Sequence, residues 1–546
     1  MRGEGQGNRG EGKQQRDEHE SPYQKRPRPG GLAEADLARC PSPTPYPSPL
    51  APVSAPFPRL SPLTPDPFPM QDFLFAFRTG PLSSALVLVL LATALVGASS
   101  MPARADAVDD LLTAEMQKSH LPGLAVAVLR DDAIVKTAAH GLADLELGVP
   151  ATTKTVFQIQ SITKTFTAAA ILLLVEEGKL ALADPVSRHL EGTPDSWKDI
   201  TIRHLLNHTS GIKDFSNEPT ASLRLDVTEE EVLRATAPRP LNFAPGERYA
   251  YSNTNYHLLA MIIRKLTGQW YGDFLRERLF TPLGMADTRV VSLSDIIPGR
   301  ASGYFWTGQG YRKGEFVAES ILSYGGGGIL STAPDLALWA RAIMTGNLLK
   351  PETLVDAWTP GRFNSGGTSG YGLGWGIGNV NGHREISHSG GHATGFTSFL
   401  GLYPEDRLAV VVMLNRGSTD TARIARRVAG VYVPELAPRP EKPIEDQDPK
   451  TTSLLRECIE GTPDWRLEQD RFTSDMWQVL ETQKAEIQAQ VKALGPLEDL
   501  QLLSRGGSDG ARTFRYRAVF THGRVIMALT LDRDGRIAGL QNSNED

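Results

Sequence analysis

Cysteine is nearly absent from this chain of 546 residues: Cys40 and Cys458, far apart, are the two it has. Their scarcity excludes a disulfide framework and a soft-metal cluster, and leaves each as a lone structural thiol. Excess positive charge is absent as well. With Lys+Arg at 57 against Asp+Glu at 63 the formal net charge is -6, so electrostatics give no case for a nucleic-acid partner. A long apolar run is missing too. Residues 85–96 are apolar throughout apart from Thr93, but the stretch is too short for a spanning helix. With Arg78 ahead of it and the small-x-small site Ala103-Arg-Ala105 behind, it reads as an export signal cleaved near Ala105. The expectation is a periplasmic or secreted protein with no stable membrane span after cleavage, an uncleaved N-terminal anchor being the alternative. The lack of a cysteine at that site speaks against a lipoprotein.

Proline is unevenly spread, with 15 of the 38 in residues 1–69. That stretch reads as a disordered extension. Because signals sit near a translation start, the expected start is Met70, with 70–105 as the signal.

What the chain does hold is Ser161-x-x-Lys164, then Tyr251-x-Asn253, then His388-x-Gly390. The apolar segment from Ser161 toward Glu176 predicts a buried helix, which puts Lys164 one turn beyond Ser161 on the same face. A serine hydroxyl attacks a carbonyl only when a base takes its proton, and a lysine or phenol within reach can do so. About one Ser-x-x-Lys is expected by chance in a chain this long. The second copy, Ser210-Gly-Ile-Lys213, follows a helix that runs into a turn and reads as a turn serine. Ser161 alone would read as a helix-start serine, and Tyr251 and His388 as a core aromatic and a strand-end histidine. Their ordered company argues for a site.

With these residues the chain resembles the serine beta-lactamase and penicillin-binding-protein superfamily, on the branch of class C beta-lactamases, D-alanyl-D-alanine carboxypeptidases, D-aminopeptidases and related esterases. The resemblance covers roughly residues 107 to 420 and includes Phe157-Gln-Ile-Gln-Ser161, Thr201 to Gly211, Phe243-Ala-Pro-Gly246, Leu279 to Met285, Gly326 to Thr332, Tyr371-Gly-Leu-Gly-Trp375 and Gly395-Phe396. It implies an α/β (α+β) fold of the beta-lactamase/transpeptidase type, an antiparallel sheet flanked by helices plus an all-helical part. It also implies that Ser161 is the nucleophile, that Lys164 and Tyr251 share its deprotonation, and that Tyr251 returns the proton to the leaving group. Asn253 would orient a substrate amide and Lys164. The backbone N–H groups of Ser161 and Gly391 would receive the oxyanion, with His388 and Gly390 in the substrate-binding strand. A free phenol lies about three units above neutral pH, roughly 4 kcal/mol, which a lysine ammonium would have to offset in part. His388 departs from the Lys-Thr-Gly of most beta-lactamases. With an ordinary pKa near 6.5 it would hold a substrate carboxylate only when protonated. The implied protein is an exported hydrolase of small esters, beta-lactams or D-amino-acid peptides, an esterase or peptidase more than a dedicated beta-lactamase. The alternative is a non-catalytic sensor or scaffold. No cofactor is expected. A metal site from His383, His388 and His392 is set aside, since Gly390 and Gly391 break any helix and no carboxylate follows at ligand spacing. The Gly325 to Gly328 run is no phosphate loop, because Ile329-Leu330 stands where Lys and Ser or Thr are needed.

Alternation predicts a hairpin, Leu124 to Arg130 and Ala133 to His140, turning at Arg130-Asp131-Asp132. Further strands are expected at 384–388, 394–402 and 408–414. The hydrolase domain is placed at 106–433, a Pro-rich charged linker at 434–449, and a small α+β accessory domain at 450–546. In the latter Phe472, Met476, Leu480, Ile487, Val491 and Leu494 share one helix face. Strands follow near 497–504, 512–520, 524–532 and 536–540, loosely resembling cystatin-like or nuclear-transport-factor-like domains. No catalytic grouping stands out there.

Overall fold

The computed structural model describes residues 101–217, 223–439, 441–507 and 511–544. The expected extension 1–69 and nearly all of the expected signal lie outside them. Helix α1 (Met101–Lys118) leads into strand β1 (Gly123–Arg130) and strand β2 (Ala133–Asp144). The turn between them places Asp131 and Asp132 at φ 50 and 64, the left-handed pair that a two-residue hairpin with the strand's own twist requires. β2 runs four residues beyond the expected His140 and pairs with the short β3 (Val149–Pro150).

The other strands of this sheet come from the far end of the chain: β4 (Gly376–Val380), β5 (His383–His392), β6 (Phe396–Tyr403) and β7 (Leu408–Leu414). The order is β3-β2-β1-β7-β6-β5-β4, antiparallel throughout. β1 and β7 are buried on both faces, and their alternation sorts the core. Leu124, Val126, Val128, Val410 and Val412 pack with Val108 and Leu112 of α1 and with Ile424 and Val428 of helix α5 (Thr421–Tyr432). Ala125, Ala127, Leu129, Val411 and Met413 face the other way, onto α2 (Thr163–Glu176) and α4 (Ala333–Met344). Beyond α2 lies α3 (Asn253–Thr267), in the same core. α2 has no polar face through most of its length, as befits a helix covered all round.

The C-terminal part contains α6 (Pro449–Gly461), α7 (Ser474–Leu494) and a four-stranded antiparallel meander, β8 (Leu497–Gly506), β9 (Arg512–Phe520), β10 (Gly523–Leu531) and β11 (Ile537–Asn544). Five of the six apolar residues expected on one helix face lie in α7; Phe472 precedes the helix in extended conformation, and all six join a single cluster with this sheet. α6 lies at the expected linker boundary and was not foreseen. Leu436, inside the expected linker, is fully buried with the outer cluster of the large sheet, so chain just past 433 packs there. Cys458 is a free, buried thiol whose pKa burial pushes up to about 11.

Candidate active site

Ser161 lies in a tight turn, Gln160–Ile162, that feeds directly into α2. Gln160 takes φ 52, a left-handed conformation costly for a residue with a side chain, by roughly 1–3 kcal/mol. Its amide holds the turn by donating to Gln158 Oε1 (2.9 Å) and Thr394 Oγ1 (2.8 Å). The Ser161 hydroxyl makes no helix cap and is left for other partners.

Lys164, one helical turn on, is fully buried. Its Nζ has three partners: Gly326 O at 2.6 Å, Asn253 Oδ1 at 2.9 Å and Ser161 Oγ at 3.2 Å. Burial presses its pKa down to about 7, against a partial lift from the Asp214 carboxylate. Gly326 arrives because Ile329–Ser331 pairs with Phe157–Gln158 in a small separate sheet, which sets the glycine run beside the serine turn. Two of the three partners are carbonyl oxygens, which only accept. A neutral amine spends its two N–H groups on them and turns its lone pair to the Ser161 hydroxyl, the geometry of a base about to take that proton.

Asn253, the first residue of α3, owes its orientation to Asp214. The carboxylate Oδ2 accepts from Asn253 N and from Nδ2, both at 3.0 Å, so Oδ1 must face Lys164. An anion at a helix start is itself favourable. The Tyr251 ring sits 4.8 Å from Lys164 Nζ and 4.4 Å from the buried His208 ring. Burial pushes the Tyr251 phenol above its ordinary 10, only partly countered by the Ser161 hydroxyl. The residue remains 37 % exposed, so water in the cleft tempers that rise without reversing its direction.

Ser161, Tyr251, Asn253, Gly326 and Gly391 line one cavity of about 140 Å³. Phe215, Ile321, Leu322 and Tyr324 form an apolar stretch of its wall. Along β5, pairing with β4 stops at Ser387 opposite Gly376, so from His388 to His392 that edge of the strand has no strand partner among the described residues. An extended substrate can lie against such an edge.

A family model described as Beta-lactamase matches residues 108–432. The chain belongs to the beta-lactamase family. Penicillin-binding protein 4* of Bacillus subtilis (strain 168) is 33% identical over 295 residues, 50% of this chain and 64% of that protein. Protein flp of Staphylococcus aureus (strain N315) is 29% identical over 324 residues, 57% of this chain and 63% of that protein. The match therefore spans less than two thirds of either relative. Among solved structures, the D-amino acid amidase of Ochrobactrum anthropi SV3 complexed with D-phenylalanine aligns with TM-score 0.52 and 27% identity, over 61% of this chain and 99% of that one. The octameric penicillin-binding protein homologue from Pyrococcus abyssi shares the fold at TM-score 0.54 and 24% identity, over 81% of this chain and 96% of that one.

Against this beta-lactamase-family frame, two expectations change. His388 is buried, does not line the cavity, and has both ring nitrogens engaged. Nδ1–H donates to the Ser389 carbonyl (2.7 Å), which leaves Nε2 to accept from the Tyr371 hydroxyl (2.8 Å). Burial, then the neighbouring Lys164, presses its pKa to about 3. It is a neutral ring near pH 7, not a cation titrating near 6.5. Gly390 also turns inward. A Cβ there would stand 2.3 Å from the Ile159 carbonyl and 2.5 Å from Ser398 Oγ, so the glycine lets β5 press against the serine turn. Gly391 is open to the cleft, with only Thr397 near its absent side chain. Ser210 is spent in a turn, donating to Asn255 Oδ1 and accepting from Ile212 N. Sequence reading missed Asp214, Gln160, His208 and the Gly326 carbonyl. Asp214 directly follows the second Ser-x-x-Lys, a position that offers no signal without its partner Asn253.

Proposed function

We propose that the protein is a serine hydrolase that opens an ester or amide through an acyl-Ser161 intermediate. The observation that carries this is the Lys164 amine, buried, near neutrality, and held by two carbonyls with its third contact on Ser161. Ser161 Oγ bonds to the substrate carbonyl carbon while its proton passes to Lys164. Charge develops on the carbonyl oxygen between the backbone N–H groups of Ser161 and Gly391. The bond to the leaving group then breaks, and a proton reaches that group through Tyr251. Water later releases the acyl group.

The split of roles differs from a shared base. A phenol held above 10 beside an amine near 7 is the acid of the pair, and the amine is the base. Likeness to a D-amino acid amidase supports D-amino-acid derivatives as substrates. A neutral His388 in place of a permanent cation supports an esterase or peptidase over a dedicated beta-lactamase. The apolar run at 85–96 supports export. The test is fluorescent fluorophosphonate labelling of the full chain and of Ser161→Ala, followed by turnover of short-chain esters, nitrocefin and D-alanyl peptides. Labelling retained in Ser161→Ala, or absent from the parent, rejects the reading.

A further inference from the structure

We propose that His208 is the positioning residue of the proton donor: it holds Tyr251 where the phenol reaches the leaving group, and it acts on the reaction only through that ring. This rests on the hydrolase reading above. His208 belongs to Thr201 to Gly211, a stretch that carries the family resemblance yet supplies no group to the steps set out so far. It follows the short helix Ile202–Leu206 and its cap Asn207, and it is fully buried at φ 59, a conformation uncommon for residues other than glycine.

Tyr251 needs such a hold. It lies in irregular chain just ahead of α3, and at 37 % exposure its ring is not fixed by burial. His208 binds the chain on both sides of it. The His208 carbonyl accepts from Ala250 N at 2.9 Å and its ring Nδ1 accepts from Ser252 N at 3.2 Å, so the residues immediately before and after Tyr251 share one partner. The third hold is on the side chain itself, where the imidazole lies 4.4 Å from the phenol ring at a tilt of 36°.

The tautomer follows from the partners. Asn255 Oδ1 accepts from Ser210 Oγ at 2.7 Å, which turns Asn255 Nδ2 toward His208 Nδ1 at 3.2 Å as a second donor. Nδ1 is therefore the bare, accepting nitrogen, and the proton sits on Nε2. Burial, then the nearby Lys164, holds the pKa well below its ordinary value and keeps the ring in that neutral form. Nε2–H finds no polar partner among the described residues, and the rings of Tyr249, Tyr256 and Tyr371 stand around the imidazole at 5.0 to 6.0 Å. A residue kept for packing alone has no reason to leave a buried N–H unmatched. What histidine combines here is a flat ring for Tyr251 with an edge acceptor for Ser252. Phenylalanine lacks the acceptor, and asparagine lacks the ring.

The experiment uses the full chain and two esters of N-acetyl-D-alanine, one with methanol and one with 4-nitrophenol. Methoxide must receive a proton as it leaves whereas 4-nitrophenolate departs as the anion, so the methyl-to-nitrophenyl ratio of kcat/KM reads proton delivery apart from attack by Ser161. Tyr251→Phe should lower that ratio about 100-fold or more. His208→Phe should lower it about 30-fold, and His208→Asn, which keeps an acceptor and tolerates the left-handed backbone, about fivefold. With Tyr251→Phe already in place, His208→Asn should move the ratio less than about twofold, because a residue that acts through the phenol has nothing left to act on. If His208→Phe does not fold, His208→Asn decides. A ratio unchanged by His208→Asn while both esters decline together overturns the proposal, as does an effect in the double variant as large as in the parent. Fluorophosphonate labelling at Ser161, whose leaving group is fluoride, separates the failures. A parent without label ends the hydrolase reading, whereas a labelled parent with an unmoved ratio, or with neither ester opened, ends only the positioning role.

Discussion

The two sheets bury apolar faces by the same rule and treat polar groups in opposite ways. Under the four-stranded C-terminal sheet the buried polar residues among the described ones are Thr451, Thr462 and Arg517, and each is partnered. Around the serine turn of the large sheet, Lys164, Gln160, His208, Asn255 and His388 are all buried. Among the described residues, the buried side-chain atoms left without partners, His208 Nε2, His392 Nδ1 and Arg416 Nε among them, all belong to the part that holds the large sheet. An unpaired buried polar atom costs about 1–3 kcal/mol, so such atoms do not gather as mere packing. One part is built to fold, the other to hold charge out of water.

That contrast is broken most directly at Ser161. Ser161→Ala should abolish acylation while shifting stability by no more than about 1 kcal/mol, since one half-buried hydroxyl is lost. Mass spectrometry after a slow acylating inhibitor should place the adduct on Ser161 in the parent. Finding it on Ser210 would refute the assignment. Lys164→Ala should lower the acylation rate roughly 10²–10⁴-fold, the range of a positioned general base. In the parent the rate should rise with pH and level off above the amine's pKa of about 7, because the base acts only when deprotonated. A rate that falls as pH rises through 7 would assign the base elsewhere.

Asp214→Asn sharpens the comparison with a smaller effect. The anion that raises the Lys164 pKa and fixes the Asn253 amide is removed. The rate plateau should drop about 10–100-fold, as expected for a misplaced positioning group. The midpoint of the pH profile should move to lower pH, since an amine without its nearby anion loses protons more readily. A loss of rate with an unmoved midpoint would make Asp214 structural only.

The sheet and its hairpin were legible because apolar alternation and the Asp131-Asp132 turn are local signals. The Ser161, Lys164, Tyr251 and Asn253 group was legible through spacing and resemblance. The rest was not, for physical reasons. The Gly326 carbonyl is backbone and leaves no mark on residue type, while Asp214 acts through a partner 39 positions away. The neutrality of His388 follows from burial against Tyr371 and Lys164, which composition cannot show. α6 did leave a signal, Asp448 capping a helix with Pro449 at its first position, inside a stretch whose prolines read as linker.

His388 supplies a near-zero prediction. With the ring's pKa at about 3, the ratio of kcat/KM for a carboxylate-bearing D-alanyl peptide to that for a neutral ester should change less than about threefold between pH 6 and pH 8, because His388 does not change charge there. A ratio that rises steeply as pH falls would return His388 to the role of carboxylate reader. His388→Lys should not strengthen carboxylate binding. It would bury a second amine beside Lys164 and lower the melting temperature.

The smallest effect is expected from removing the C-terminal part altogether. The clusters that build the large sheet and the cluster under the small sheet share no residue, and Leu436 belongs to the former. A chain ending at 439 therefore keeps every side chain that touches Ser161, Lys164 or Asn253, and its fluorophosphonate labelling should stay within about threefold of the parent's, as for a separately folded unit. A truncated protein with native circular dichroism but no labelling would show that the two parts complete one site, and the division of labour between charged and apolar interiors would fail.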